Sequence, residues 1–174
     1  MTKNQESIFS NATYGGCGCL LLLMVIGVIC AITLPYSIQI SIPSQARTAK
    51  QSEAKLYVSS MNKFQQAYFA EKSVFSTSVD ALGIGIKTET TNYKYSVRAT
   101  KQAGFNYGVS KKPELKSYIG GVFVIRAKSN NGEAEIRTES ILCSADELGT
   151  IRPLPPKIQN SRLVCGTGTT AVTK

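Results

Sequence analysis

Cysteine is the residue type with the most scope for covalent chemistry in this chain, because histidine is absent altogether. Cys143 and Cys165 stand alone in the polar C-terminal part. Such a pair suggests a disulfide and an oxidising compartment, and two reduced thiols are the alternative. Closing the loop between them would remove roughly 3 kcal/mol of unfolded-state entropy.

The other three cysteines, Cys17, Cys19 and Cys30, lie in or beside a long apolar run. They are expected to act as small apolar side chains, because a metal site at Cys17-x-Cys19 would need more ligands than the stretch offers. Without histidine the chain lacks the commonest general base and the commonest zinc ligand. No G-x-S-x-G motif is present, and the acidic pair Asp146-Glu147 is expected in an exposed turn. We therefore predict no enzyme activity, no catalytic residue, no metal site and no cofactor.

A net charge of +9 favours anionic partners such as nucleic acid or acidic polysaccharide. The lysines and arginines are scattered, however, and Lys111-Lys112 is the only basic doublet, which indicates a solvated surface. Single-stranded nucleic acid would also need a stacking face. Four aromatic residues that alternate with polar ones are the candidates for that face: Tyr93, Tyr95, Phe105 and Tyr107. The alternative is that these rings belong to the core of a sheet.

The element that organises the rest is an apolar run at residues 17–34, CGCLLLLMVIGVICAITL. At about 1.5 Å per residue, a helix of this run nearly spans the ~30 Å hydrocarbon core of a membrane. Gly27 and Ala31, four residues apart, would present a small-residue face to a second helix. A helix buried in a soluble core is an alternative, although the run has no polar stripe. A cleavable secretory signal is another, although Lys3 is the only cation of the preceding residues.

The segments around this run are predicted to be a leader at residues 1–16 and a link at residues 35–46, which Pro35 and Pro43 interrupt. Residues 47–72 return to helical spacing. The apolar stripe of this amphipathic helix is predicted to consist of Ala54, Tyr57, Met61, Phe64 and Tyr68. The residues expected to face water or neighbouring chains are Lys50, Glu53, Gln65 and Glu71.

Residues 73–92 are predicted to form a loop that Val79, Leu82 and Ile84 pin down. A period of two then predicts strands at residues 93–100, 105–110, 121–128 and 133–142, with a hairpin signal at Asn130-Asn131-Gly132. The proline-rich residues 143–165 are predicted to be a loop and residues 166–174 a frayed tail. One helix over an antiparallel sheet, spanning residues 93–142, gives an α+β head at residues 47–174.

Two segments resemble the type IV pilin-like G/H proteins, which are known mainly from cyanobacteria. They are KQSEAKLYVSSMNKFQQAYFAEKSVF at residues 50–75 and DALGIGIKTETTNYKYSV at residues 80–97. The resemblance implies a type IV pilin-like fold, in which a long N-terminal helix packs on an antiparallel sheet with a C-terminal disulfide loop. It also implies a membrane-anchored pilin or pseudopilin. Such a subunit assembles with others through its N-terminal helix, in a type IV pilus or a type II secretion-type machine.

In that family a prepilin peptidase cuts after a glycine, and a glutamate stands fifth in the mature chain. Counting back from the first segment puts the cut between Gly18 and Cys19, with Leu23 fifth. Counting from Pro35 instead makes Tyr14 the first mature residue. Neither count supplies the glutamate. An uncut membrane-anchored binding module that does not polymerise, with nucleic acid or polysaccharide as ligand, is therefore the alternative function.

The orientation in the membrane draws on conflicting indications. Arg47, Lys50 and Lys55 follow the apolar run and would hold the C-terminal domain in the cytoplasm. The cysteine pair and the resemblance place that domain outside. We expect a single-pass protein of the inner (plasma) membrane, or a subunit within a pilus, with its C-terminal domain outside the cytoplasm.

Overall fold

A computed structural model describes residues 42–128 and 134–172. By its internal contacts the chain divides into two units, Met1–Gln45 and Ala46–Lys174, and the sheet belongs wholly to the second. The apolar run at residues 17–34 lies outside the described residues. Among the residues that are described, no helix is both long and apolar enough to cross a membrane.

One long helix, α1 (Ile42–Lys72), supplies the buried face that the head is built on. Its fully buried side chains recur at intervals of three and four residues, as one helical face requires. They are Ala54, Val58, Met61 and Gln65. The predicted stripe was wrong at two neighbouring positions, because Phe64 is 43% exposed and Gln65, which was expected to face water, is 0% exposed.

Antiparallel pairing of successive strands forms the sheet, as the period of two predicted. Within the described residues its strands are β1 (Tyr93–Ala99), β2 (Ala103–Ser110), β3 (Lys116–Lys128), β4 (Ala134–Leu148) and β7 (Thr169–Ala171). Their order across the sheet is β1-β2-β3-β4-β7. Two short strands, β5 (Lys157–Gln159) and β6 (Arg162–Val164), pair separately. The hairpin signal at residues 130–132 lies outside the described residues.

The sheet extends further than the sequence pattern predicted. β4 continues through Cys143 to Leu148, so the predicted disulfide loop starts inside a strand. The predicted frayed tail was wrong, because Thr169–Ala171 pairs with β4 in the register Cys143↔Ala171. β7 therefore adds a fifth strand beside the first cysteine.

Each face of the sheet has its own core. On the helix face, α1 packs against the tyrosines Tyr93, Tyr95 and Tyr118. Val79 and Leu82 join this core from the loop after the helix, as predicted, through a short 3-10 turn at Asp80–Leu82. The core on the other face is built from Tyr107, Ile119 and Cys143, with Phe105, Val109, Ile141 and Cys165 against it.

Candidate functional site

A disulfide joins Cys143 to Cys165, with 5.9 Å between the two Cα atoms. The pairing was predicted, and the alternative of two reduced thiols does not describe this structure. Cys143 is fully buried in the middle of β4, and Cys165 packs against it on the outer face of the sheet. The bond therefore fixes the far end of a long connection to β4, the strand next to the edge strand β7.

The connection inside this bracket covers the outer face. The guanidinium carbon of Arg152 lies 3.6 Å from the centroid of the Tyr107 ring, a cation–π contact. A Cβ added at Gly121 would lie 2.5 Å from Cγ of Pro156, so the absence of a side chain lets the proline approach β3. The proline-rich stretch is thus a packed layer opposite α1.

Amide side chains bond α1 to the sheet on the helix face, and the apolar and polar periods of the sequence did not predict these bonds. The Nδ2 of Asn106 donates to Oδ1 of Asn62 at 2.8 Å, and the Nδ2 of Asn62 donates to the Ile141 carbonyl at 3.0 Å. The Nε2 of Gln66 donates to the carbonyl of Thr138 at 3.0 Å. A pattern that would have revealed them is the recurrence of amides on one helical face opposite strand glycines.

Gln65 is bonded to the loop that follows the helix. Its Nε2 donates to the Ser76 carbonyl at 2.9 Å, and its Oε1 accepts from the Ser76 N–H at 3.0 Å. Both halves of the amide are therefore satisfied, which explains how a glutamine tolerates complete burial.

The four aromatic residues proposed as a stacking face lie on opposite faces of the sheet. Tyr93 and Tyr95 are buried under α1, whereas Phe105 and Tyr107 belong to the core beneath the disulfide loop. They therefore form no common platform, and the alternative that they are core residues is confirmed.

Burial raises the pKa of Tyr118 to about 12, and it also holds the pKa values of Tyr93 and Tyr95 well above the ordinary tyrosine value.

A family model described as type IV pilin-like G and H matches residues 51–166, about two thirds of the chain. The chain belongs to this family. The match begins at Gln51, whose Oε1 accepts a hydrogen bond from the Lys116 N–H of β3, and it ends just after Cys165. No curated protein and no solved structure matches the chain.

Membership of the type IV pilin-like G and H family confirms the resemblance noted in the sequence and its fold class over the described residues. The predicted processing residues Gly18 and Cys19 and the predicted packing residues Gly27 and Ala31 lie outside those residues. Within residues 42–128 and 134–172, no group of three or more histidine, cysteine, aspartate or glutamate side chains is placed to hold a metal ion.

Among the described residues, exposed apolar side chains lie at several places on the pilin-like head, and two of these places bear on contacts with another molecule. One is the loop patch, formed by Leu148, Ile151 and Leu154 around a hollow of about 290 Å³, and its Ile151 is 82% exposed. The other is the outward side of α1, where Leu56 and Phe64 are exposed. Clustered apolar side chains open to water commonly mark surfaces that contact another molecule.

Proposed function

We propose that this protein is a membrane-anchored pilin-like subunit that acts by assembling with other pilin-like subunits. Its membership of the type IV pilin-like G and H family is the observation that carries the proposal. The machine would be a type IV pilus or a type II secretion-type assembly. The subunit makes and breaks no bond in this role.

The anchor in this proposal is the apolar run at residues 17–34. Its helix would lie in the inner membrane, with the head outside the cytoplasm. The Cys143–Cys165 disulfide supports that side of the membrane, because disulfides persist in oxidising compartments. In lipid the hydrophobic effect does not draw helices together, so close backbone contact at small residues such as Gly27 and Ala31 would drive the packing.

The head would contribute the outer contacts of the assembly. The loop patch and the Leu56 and Phe64 side chains are exposed apolar surfaces that could serve this purpose. They lie on different elements, as a head-to-tail contact between copies requires, because such contacts join two different surfaces.

The N-terminus of membrane-extracted protein tests the processing step. Intact-mass analysis should give a mature chain that begins at Cys19 if a prepilin peptidase cuts after Gly18. A chain that begins at Met1 or Thr2 would contradict processing and favour the uncut, anchored form. Recovery of the full chain in the soluble fraction, without detergent, would contradict the anchor itself.

A variant with a large side chain on the small-residue face tests assembly. Gly27→Leu should abolish the ladder of chemically cross-linked species above the monomer in isolated membranes, because the added side chain separates the helices. Val25→Leu is the matched control, since in the proposed helix position 25 would lie on the side opposite Gly27 and leucine would change little there. Equal ladders from both variants, or no ladder from the native chain, would contradict assembly through this face.

A further inference from the structure

A groove lies where α1 ends and the β3–β4 hairpin continues. Pairing of β2 with β3 stops at Ala103↔Phe123, whereas β3 and β4 remain paired as far as Lys128↔Ala134. The hairpin therefore extends past its neighbours as a two-stranded ribbon. Beside it, around the last turn of α1, is a groove of about 830 Å³, within the range of roughly 300–1,000 Å³ typical of ligand sites.

The charged residues that line this groove are all cations. Lys101 comes from the turn between β1 and β2, and Arg126 comes from β3. The third, Arg137, already pairs with Glu139 at 2.7 Å. Within the described part of the chain no ion pair involves Lys101 or Arg126. Two positive charges thus border the groove without an acid among its lining residues.

Apolar side chains lie beside these charges. Ile136 is the cross-strand partner of Arg126, so both lie on the same face of the ribbon. It is 61% exposed, and Val124 and Phe69 continue the apolar lining toward the helix. The hydrogen bond from Gln66 to the Thr138 carbonyl closes the wall between helix and ribbon.

We propose that this groove binds a phosphate-bearing ligand of the nucleotide type. The phosphate pairs with Lys101 and Arg126, and the base lies against Ile136 and Val124. A free nucleotide and a nucleotide within a single strand share this chemistry. An acidic polysaccharide fits less well, because its hydroxyl groups would meet an apolar lining and lose their hydrogen bonds to water. The inference does not depend on assembly of the protein.

The test measures fluorescence anisotropy of a labelled short oligothymidylate with the full-length chain in uncharged detergent. At about 100 mM salt the dissociation constant should lie around 10⁻⁴–10⁻⁶ M. Two phosphate contacts to a single strand predict that the logarithm of the association constant falls with the logarithm of the salt concentration with a slope of about −1.4. The double variant Lys101→Ala, Arg126→Gln should bind about tenfold more weakly or worse, since each lost cation removes one phosphate contact. The matched control Lys94→Ala, Arg98→Gln removes two exposed cations from β1 and should change binding by less than about threefold.

Ile136→Ser should weaken binding without changing the salt slope, while Ile151→Ser, at an exposed position on the loop patch, should leave affinity unchanged. Competition by thymidine monophosphate would support a free nucleotide as ligand. Competition by unlabelled strand alone would support a strand. Equal losses in the two double variants would overturn the proposal, because they indicate general charge attraction. It would also be overturned by absent binding at about 50 mM salt, or by alginate binding as tightly with the same dependence on Lys101 and Arg126.

Discussion

Replacing Gly120 with alanine tests how α1 is held against the sheet. A Cβ at Gly120 would lie 2.0 Å from Oδ1 and 2.6 Å from Cγ of Asn62, whereas non-bonded heavy atoms prefer separations near 3.5 Å. The Asn62 side chain cannot move away without losing hydrogen bonds. Its Nδ2 is bonded to the Ile141 carbonyl and its Oδ1 to Asn106, so moving it breaks buried hydrogen bonds.

Two effects of the substitution lower the free energy of unfolding, and one raises it. Overpacking costs about 1–3 kcal/mol, and buried groups left unpaired cost a further ~1–3 kcal/mol. The lower entropy of the unfolded alanine variant offsets about 0.4–1 kcal/mol. We therefore expect Gly120→Ala to lower the free energy of unfolding by roughly 3 kcal/mol, within the limits of about 1 and 5.5 kcal/mol that these terms set. Gly104→Ala is the matched control. Its Cβ would lie 3.1 Å from the Phe75 ring and 3.2 Å from Cδ of Gln65, so these neighbours need to move by only a few tenths of an ångström, and stability should change by less than about 1 kcal/mol.

Urea unfolding of the full chain, followed by circular dichroism, measures these changes. Asn62→Ala should by itself cost about 2–3 kcal/mol by leaving partners unpaired. In the double variant Asn62→Ala, Gly120→Ala the clash is gone, so the combined loss should fall short of the sum by about 1–3 kcal/mol. Additive losses, or a Gly120→Ala variant as stable as the native chain, would refute the proposed steric lock.

Four further outcomes are expected. Replacing Cys143 and Cys165 with alanine should lower the free energy of unfolding by about 3 kcal/mol for a separation of 22 residues, and an unchanged urea midpoint would contradict the entropic argument. Tyr95→Phe removes a buried hydroxyl that has no partner within the described residues, so it should not lower the melting temperature. Tyr93→Phe should destabilise the fold by about 1 kcal/mol, because it removes the hydrogen bond that the Tyr93 hydroxyl donates to the Lys116 carbonyl. The pKa of Tyr118 is raised to about 12 in the fold, above the unfolded value of about 10. The folded state therefore favours the neutral phenol. The contribution of this tyrosine to the free energy of unfolding should be fully present below pH ~10 and should be lost between about pH 10 and 12. Urea midpoints with absorbance titration measure this loss, and a loss that is complete by pH ~9 would have another cause.

The helix and most of the sheet were predictable because their periods differ, and both periods are plain in the sequence. The phase of the helix was harder to predict. Counting apolar residues assigned Phe64 to the core and Gln65 to water, but the structure reverses them. The facing strands carry glycines, and Ser76 offers a donor and an acceptor to Gln65. Neither feature can be read from the helix sequence alone.

Pairings between distant segments were the second feature that local patterns could not supply. Tyr95 and Tyr107 look alike in the sequence, but the register Tyr95↔Gly108 puts them on opposite faces, and a shift of one residue would change that. The strand Thr169–Ala171 is only three residues long. It begins four residues after Cys165, and the disulfide from Cys165 to Cys143 brings this part of the chain to β4. Its sequence alone does not distinguish it from a tail.

The disulfide and the amide hydrogen bonds of α1 stabilise different parts of the head. The disulfide pins the outer layer, whereas Gln51, Asn62 and Gln66 fix the position of α1 along the sheet, since each bonds to a backbone group of β3 or β4. An apolar stripe alone resists such sliding poorly, because hydrophobic contacts are non-directional. Sliding by one helical turn, about 5.4 Å, would break all three bonds, at ~1–3 kcal/mol for each buried group left unpaired. In the proposed role any pull on the anchor reaches the head through α1, so resistance to sliding is what an assembling subunit would require of this helix.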